Sequence, residues 1–221
     1  KMASGIAHEG KNPLFSVIGI AELIMKKELP EELREDVEII HDAAQRASNI
    51  IDGLLTFARQ HKAERKHIDI NELIAATLAL RLHELETANI TVNTFLTPDL
   101  PRTMVDGNQL KQVFLNIIIN AEAAIKSVKD RGNLTIETEA TSGIIRISFT
   151  DDGPGIAKED LEKIFDPFFT TKKVGDGTGL GLSICHGIIT EHHGRIYAKS
   201  RSGKGATFIL ELPIVAKPQE P

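Results

Sequence analysis

The chain has 221 residues, enough for one large domain or for two modest domains that each bury a core. Its 31 Asp and Glu exceed its 26 Lys and Arg, and this net charge of -5 argues against a nucleic-acid partner. The single cysteine, Cys185, excludes an internal disulfide and favours a reducing, cytoplasmic setting. No run approaches the roughly 20 apolar residues of a membrane span, so we expect no membrane contact by this fragment.

Two segments at the start of the chain carry apolar or small residues at alternating steps of four and three, the spacing of a coiled-coil seam. They run from Ile6 to Ile24 and from Leu33 to Leu54, with Pro30 between them. The pattern predicts a helical hairpin. Since its broad apolar stripe needs a cover, we expect a homodimeric four-helix bundle. The alternative is a hairpin that packs on the second half of its own chain.

The second half mixes helical and strand patterns. Helices are predicted at 71–85 and 108–126, and strands at 90–96, 134–138, 144–149, 194–198 and 206–212. Together with the hairpin they predict an α+β protein whose second domain is a two-layer α/β sandwich with helices on one face. The predicted domains are the hairpin at 1–62, a linker at 63–67, the sandwich at 68–215 and a disordered tail at 216–221.

Two motifs of the sandwich have the residue types of a nucleotide pocket. Asn116 and Asn120 lie four apart and so share a helix face, where an amide oxygen suits Mg²⁺. Asp151 closes a strand and is followed by Gly153 and Gly155, which let the backbone approach a flat ring. Alone, an Asn pair is usually an ordinary polar helix face, and Asp-Asp-Gly is usually a turn.

Two more motifs follow, the aromatic segment 165–172 and a glycine-rich run before an apolar helix. Glycines allow close backbone approach, and the helix start offers unpaired N–H groups to phosphates. Phe168 and its neighbours can anchor a lid, in which Lys172 and Lys173 can neutralise triphosphate charge. The residues of the run predicted to bind the nucleotide are Gly177, Thr178, Gly179, Leu180, Gly181 and Leu182.

With the upstream run His8-Glu9-Gly10-Lys11-Asn12-Pro13-Leu14, the chain resembles the catalytic core of a bacterial sensor histidine kinase over nearly all its length. Such a core joins a dimerisation and histidine-phosphotransfer hairpin to a GHKL (Bergerat-type) ATP-binding domain. The resemblance implies that ATP with Mg²⁺ phosphorylates His8, that Asp151 binds the adenine amine, and that Asn120 holds the metal with Asn116 in support. It further implies phosphoryl transfer to an aspartate of a response-regulator receiver domain. We also expect an upstream sensory portion, through which the full-length protein can be anchored in a membrane.

Helix geometry separates the roles within the acceptor motif. If positions 6, 10, 13 and 17 form the seam, His8 lies on the outward face with Asn12 one turn further along. An exposed imidazole can act as a nucleophile, and the adjacent Glu9 can take or polarise its proton. The resemblance implies that Asn12 orients a water for dephosphorylation of the partner. Alternatively, Asn12 only satisfies backbone groups freed by Pro13.

Two positions depart from the family pattern. Many relatives have a lysine three residues after the metal-binding asparagine, where this chain has Ala123, so charge neutralisation is expected from the lid lysines. Gly10 stands where a bulky apolar residue is usual, and with Pro13 it predicts a bendable helix around His8.

Two further interpretations concern the C-terminal part. By the resemblance, Thr207 matches a position whose hydroxyl contacts the base. His192 and His193 do not indicate a metal site, since adjacent side chains diverge and no thiol or carboxylate cluster accompanies them. We interpret both as solvated residues at a helix end.

Two other functions are alternatives to that of a histidine kinase. A chaperone or DNA-repair ATPase of the same superfamily would use ATP closure as a clamp. The acceptor motif and the aromatic lid anchor argue against it, and Glu122, two residues from Asn120, is expected to point away from the pocket. A non-catalytic dimeric adaptor would bind ATP or a receiver domain without turnover and keep the same motifs.

Overall fold

The computed structural model describes residues 2–58, 64–172 and 177–216, with side chains from Pro13 onward except positions 46, 49, 50 and 52–58. The chain forms two compact units. The first contains Lys1–Lys62 and Asp166–Gly181, and the second contains Ala63–Phe165 and Leu182–Pro221. Within the described ranges, no helix is both long enough and apolar enough to cross a bilayer.

The predicted hairpin is present as α1 (Met2–Met25) and α2 (Glu31–Ala58). Helix α2 begins directly after Pro30, and its first turn carries Glu31 and Glu32, where negative charge stabilises a helix N-terminus. The His41 Nε2 atom of α2 lies 3.8 Å from Glu22 Oε1 of α1. The two helices pack against each other as a hairpin, as the heptad spacing predicts.

The hairpin leaves a row of apolar side chains exposed. Ile18, Ala21 and Ala44 are buried. Several residues of the predicted seam are instead exposed, and neighbouring apolar side chains are exposed with them: Val17, Ile20, Leu33 and Ile40, with Phe15, Leu23 and Ile39. Soluble proteins rarely leave large contiguous apolar patches in water, so this row is a surface to be covered.

The second unit is a two-layer α/β sandwich, as predicted. Its elements, in chain order, are β1 (Lys66–Ile68), α3 (Ile70–Ala79), α4 (Leu82–Thr87), β2 (Ile90–Leu96), β3 (Thr103–Val105), α5 (Gly107–Lys126), β4 (Gly132–Thr141), β5 (Ile144–Asp151), α6 (Gly181–Glu191), β6 (Arg195–Ser200) and β7 (Ala206–Pro213). The main sheet has the order β2-β4-β5-β7-β6, with β2 parallel to β4 and the other pairs antiparallel.

Alternation along the strands places the core on the helical face of this sheet. Ile145, Ile147 and Phe149 of β5 are buried, whereas Arg146 between them is exposed. The ring centroid of Phe149 lies 5.6 Å from that of Phe114 on α5. Helix α5 therefore packs across the middle of the sheet, which places its polar residues beside the strand ends.

The structure differs from the prediction in two places. The helix predicted at 71–85 is broken into α3 and α4 around Arg81, whose φ of -120° and ψ of 0° interrupt the helical path. Lys66 and His67, predicted as linker residues, lie in β1 and pair with β3 in a separate two-stranded sheet. Strands of three residues are too short to show alternation, which explains why the sequence does not reveal them.

The helix break at Arg81 serves an ion-pair cluster. Arg81 Nη2 lies 2.6 Å from Glu122 Oε2, and Lys126 Nζ lies 2.7 Å from Glu122 Oε1. Burial alone would raise the pKa of the Glu122 carboxyl, but hydrogen bonds from Lys126 and Arg81 outweigh it and lower that pKa. Glu122 is thus engaged away from Asn120, consistent with its expected direction.

Replacing Arg81 with methionine is expected to lower the free energy of unfolding by about 2–3 kcal/mol, because it leaves the buried Glu122 carboxylate with one cation only. Urea unfolding of the purified chain measures the change. Arg146→Met is the matched control, since Arg146 pairs with Glu139 and Glu211 on the exposed sheet face and its loss should change stability little. Equal effects of the two variants would contradict the role given to Arg81.

Candidate nucleotide-binding site

Asn116 and Asn120 lie one turn apart on α5, as their spacing predicts. The side chain of Asp106 caps this helix by accepting hydrogen bonds from the backbone N–H groups of Asn108 and Gln109. Asn116 Nδ2 donates to Cys185 Sγ on α6 at 3.7 Å. Asn120 is half-buried, and its side chain makes no hydrogen bond to another described residue. Its carboxamide is therefore available to a ligand.

The neighbouring thiol belongs to the core. Cys185 is fully buried in α6, and burial raises its pKa to about 12. It stays protonated at neutral pH, so Asn116 meets a neutral group there. This contact places Asn116 beside α6, and its supporting role in nucleotide binding stays a prediction.

Asp151 closes β5 as a buried carboxylate, only 4% exposed. Its Oδ1 atom accepts hydrogen bonds from Gly153 N at 2.9 Å and from Ala206 N at 3.3 Å. Burial raises the pKa of this carboxyl, and the backbone hydrogen bonds from Gly153 and Ala206 partly offset the effect. Both hydrogen bonds go to Oδ1, and no described residue bonds to Oδ2, which can therefore meet a donor from a ligand.

The glycine loop after Asp151 packs directly on α5. A Cβ at Gly153 would lie 3.1 Å from the backbone of Ala124 and 2.9 Å from Asp151 Oδ1, so only glycine fits without a shift. Ala124 follows Asn120 by four residues, on the same helix face. The loop contact thus places Asp151 at the end of the column formed by Asn116, Asn120 and Ala124. Of the predicted site residues, the structure thus brings together Asn116, Asn120, Asp151 and Gly153.

The other carboxylate of the loop has a different environment. Asp152 accepts hydrogen bonds from Asn133 N at 2.9 Å and Asn133 Nδ2 at 3.0 Å, and its Oδ2 lies 3.0 Å from Lys129 Nζ. Burial would raise its pKa, but these partners outweigh burial and lower it. Asp152 anchors the loop, whereas Asp151 faces the site.

Thr207 does not join this group. Its hydroxyl oxygen lies 3.0 Å from that of Thr150, its partner in the β5–β7 register. Because side chains alternate along a strand, Thr150 and Thr207 point to the sheet face opposite that of Asp151. The group of β7 that reaches Asp151 is the backbone N–H of Ala206. The register that decides this is set by long-range pairing and is not visible in the sequence.

Phe168 and Gly179, at either end of the glycine-rich segment, belong to the first unit and contact each other. Phe168 N donates to Gly179 O at 3.0 Å. Both residues have positive φ, 68° for Phe168 and 67° for Gly179, and a Cβ at Gly179 would lie 2.4 Å from the Phe168 carbonyl carbon. Thr178 Oγ1 accepts from Leu180 N, and Lys172 is exposed. Lys173 lies outside the described residues.

The predicted acceptor residues lie in the first turns of α1, which is helical there as expected. The side chains of His8, Glu9 and Asn12 lie outside the described residues. The last two predicted residues, Gly181 and Leu182, form the first turn of α6. The roles of all five residues in phosphoryl transfer and nucleotide binding stay predictions.

The interpretation of His192 as solvated is wrong. This residue is only 3% exposed. Its Nδ1 donates to Ile188 O at 2.8 Å, and its Nε2 accepts from Asp106 N at 2.9 Å, which assigns the neutral tautomer. Asp106 Oδ2 also accepts from Glu64 N at 2.9 Å. His192 therefore joins the end of α6 to the start of α5, whereas its neighbour His193 is exposed as predicted.

These features define a nucleotide-binding α/β unit preceded in the chain by a helical hairpin, and comparison with known proteins specifies the family. Residues 105–216 match the model of the histidine kinase-, DNA gyrase B- and HSP90-like ATPases, and residues 1–62 match that of the His kinase A (phospho-acceptor) domain. The sensor histidine kinase ZraS of Salmonella typhi is 34% identical over 99% of this chain and 46% of its own length. The chain belongs to the bacterial sensor histidine kinases.

Solved structures agree with this assignment. Full-length ShkA in complex with AMPPNP superposes with a TM-score of 0.75 at 26% identity, covering 98% of this chain and 47% of that protein. Histidine kinase ThkA in complex with the response regulator protein TrrA superposes with a TM-score of 0.70 at 32% identity, covering 97% and 61% respectively. The chain spans about half the length of the curated relatives it matches.

Proposed function

We propose that this chain is the core of an ATP-dependent protein-histidine kinase. It transfers the γ-phosphoryl group of ATP to His8 and then to an aspartate of a response-regulator receiver domain. The observation that carries the nucleotide part is the buried Asp151 carboxylate, held by Gly153 and Ala206 at the end of the asparagine column of α5. The complexes formed by ShkA with AMPPNP and by ThkA with TrrA support the two substrates.

The chemistry of the site follows from these groups. An ionised Asp151 accepts a hydrogen bond from the exocyclic amine of adenine. Because Asp151 is buried, a base without a donor at this position would leave its carboxylate unsatisfied and would bind more weakly. The Asn120 carboxamide, which has no partner among the described residues, supplies a hard oxygen of the kind that Mg²⁺ takes, so the residues present fit this ion. When bound, Mg²⁺ would neutralise charge on the phosphates.

Two lysines of the second unit near this site have other partners. Lys126 pairs with Glu122, and Lys129 pairs with Asp152. With Ala123 in place of the family lysine, we assign the neutralisation of phosphate charge to Lys172 and Lys173. Their role is part of the proposal.

The hairpin supports the remaining parts of the proposal. Its exposed apolar row fits a homodimeric four-helix bundle, in which a second copy covers residues such as Ile20 and Ile40. On the outward face, His8 would receive the phosphoryl group with Glu9 as proton acceptor. Asn12 would orient a water for dephosphorylation of the regulator.

Incubation with γ-labelled ATP and Mg²⁺, followed by acid and alkali treatment, tests the proposed reaction. We expect label on the protein that is lost in acid and survives alkali, the stability of a phosphohistidine. An ATPase clamp would instead release labelled phosphate without retaining label, and an adaptor would bind ATP without turnover. Either result would overturn the kinase assignment.

Asn120→Ala is expected to remove the Mg²⁺-dependent part of ADP affinity, a loss of roughly tenfold or more, because it deletes the proposed metal ligand. Calorimetric titration with ADP, with and without Mg²⁺, measures it. Asn108→Ala, at an exposed position in the first turn of the same helix, is the matched control and should bind as the unaltered protein does. An Mg²⁺-dependent affinity that survives in Asn120→Ala would show that the metal role is wrong.

A further inference from the structure

Ser200, the last residue of β6, joins the two loops that meet at the proposed adenine site. Its Oγ accepts a hydrogen bond from Ile156 N at 2.8 Å and donates one to Gly205 O at 2.7 Å. Ile156 lies in the loop that follows Asp151, and Gly205 is the last residue of the turn that leads into β7. One hydroxyl therefore holds a backbone donor of the first loop and a backbone acceptor of the second.

The acceptor of this hydrogen bond belongs to the peptide group that reaches Asp151. The carbonyl of Gly205 and the N–H of Ala206 are two ends of one planar unit, and that N–H donates to Asp151 Oδ1. A continuous chain of hydrogen bonds thus runs from Ile156 N–H through the Ser200 hydroxyl and the Gly205–Ala206 peptide to the carboxylate. Hydrogen bonds in such a chain polarise and strengthen one another.

The Gly205–Ala206 peptide leads into β7, where Ala206 is the Cα partner of Ser200. Gly205 has a φ of 78°, and a Cβ there would lie 2.0 Å from Asp151 O, so the two backbones are in close contact. Glycine tolerates several conformations of its peptide at little cost. The hydrogen bond from the Ser200 hydroxyl to Gly205 O stabilises the peptide orientation in which Ala206 N–H is directed toward Asp151.

We propose that Ser200 is a positioning residue for purine selectivity, since its hydroxyl orients the Gly205–Ala206 peptide that holds the Asp151 carboxylate toward a 6-amino group. The inference rests on the proposed function, in which Asp151 receives the adenine amine. Ser200 itself does not contact the nucleotide. Its loss is expected to weaken the discrimination between 6-amino and 6-oxo purines more than it weakens binding of the phosphates.

Titration of the whole chain with ADP and with inosine diphosphate, which has an oxygen in place of the amine, tests this role. We expect Ser200→Ala to weaken ADP binding about tenfold while inosine diphosphate affinity stays within about twofold, so that the preference for ADP falls about tenfold. Ser200→Thr retains the hydroxyl and should restore the preference. Ser127→Ala, which also removes a hydroxyl bonded to a backbone carbonyl, is the matched control and should behave as the unaltered protein.

The outcomes separate this inference from the proposed function. If the unaltered protein shows no preference for ADP, the assignment of Asp151 is overturned and the role of Ser200 with it. If the preference exists and survives in Ser200→Ala, only the role of Ser200 is overturned. Should Ser200→Ala fail to fold, Ser200→Cys replaces it, because the thiol is nearly equal in size but is a weak donor. The ratio of ADP affinity to inosine diphosphate affinity in that variant then decides.

Discussion

Replacing His8 with glutamine is expected to abolish acid-labile labelling from γ-labelled ATP while leaving ADP affinity within about twofold of the unaltered protein. Glutamine keeps a polar side chain on the helix but offers no nucleophilic nitrogen. The residues proposed to bind adenine and metal belong to the second unit, so nucleotide binding should persist. Labelling after gel separation and calorimetric titration measure the two properties on one preparation.

His41→Gln is the control for the acceptor assignment. His41 also lies in the hairpin, where its ring contacts Glu22 and Asp42, so the same substitution is made in the same unit. We expect normal labelling in this variant. Label that persists in His8→Gln, or that disappears equally in both variants, would contradict the assignment of His8 as the acceptor.

Replacing Asp151 with asparagine is expected to weaken ADP binding by about 100-fold or more, with a matching loss of labelling. The asparagine Oδ1 can still accept from Gly153 and Ala206, but its amide then directs a donor at the adenine amine. A donor facing a donor in a buried site loses the hydrogen bond and leaves both groups unsatisfied. Calorimetric titration with ADP and Mg²⁺ measures the change.

Asp152→Asn makes the same chemical change one residue away and serves as the control. Asp152 binds Asn133 and Lys129 at the loop base, so its variant should retain most ADP affinity. The Asp151 carboxyl must be ionised to accept the amine, and its pKa is raised by burial. ADP affinity should therefore fall on acidification at a pH above the usual carboxyl range in Asp152→Asn but not in Asp151→Asn. Equal affinity losses in the two variants would contradict the special role of Asp151.

Features that depend on local spacing could be predicted from the sequence. The four-residue separation of Asn116 and Asn120 requires only that α5 be a helix, which its apolar periodicity indicates. The strand before Asp151 alternates clearly, so its position could be predicted, although the predicted range 144–149 stops two residues short of the observed end at Asp151. The hairpin follows from the heptad pattern in the same way.

Features that depend on long-range pairing could not be predicted. Thr207 adjoins the glycine turn in sequence, but the β5–β7 register directs it to Thr150 on the far face. His192 looks like a polar residue at a helix end, and only the approach of Asp106, 86 positions earlier, makes it a core residue. No pattern in the sequence indicates the positioning role proposed for Ser200, because that role depends on two loops that meet only in the folded chain.

The backbone of Phe168 has an energetic consequence for the glycine-rich segment. A side chain of this size in the left-handed region costs on the order of 1–2 kcal/mol, and the hydrogen bond from Phe168 N to Gly179 O offsets a similar amount. This one hydrogen bond therefore contributes little net free energy to a state in which the two ends are in contact, relative to a state in which they are apart. Under such a balance, a ligand that binds one state only tenfold better than the other shifts their populations by about 1.4 kcal/mol, enough to decide which state predominates. The strain at Phe168 thus makes this segment sensitive to weak binding differences that a relaxed loop would not register.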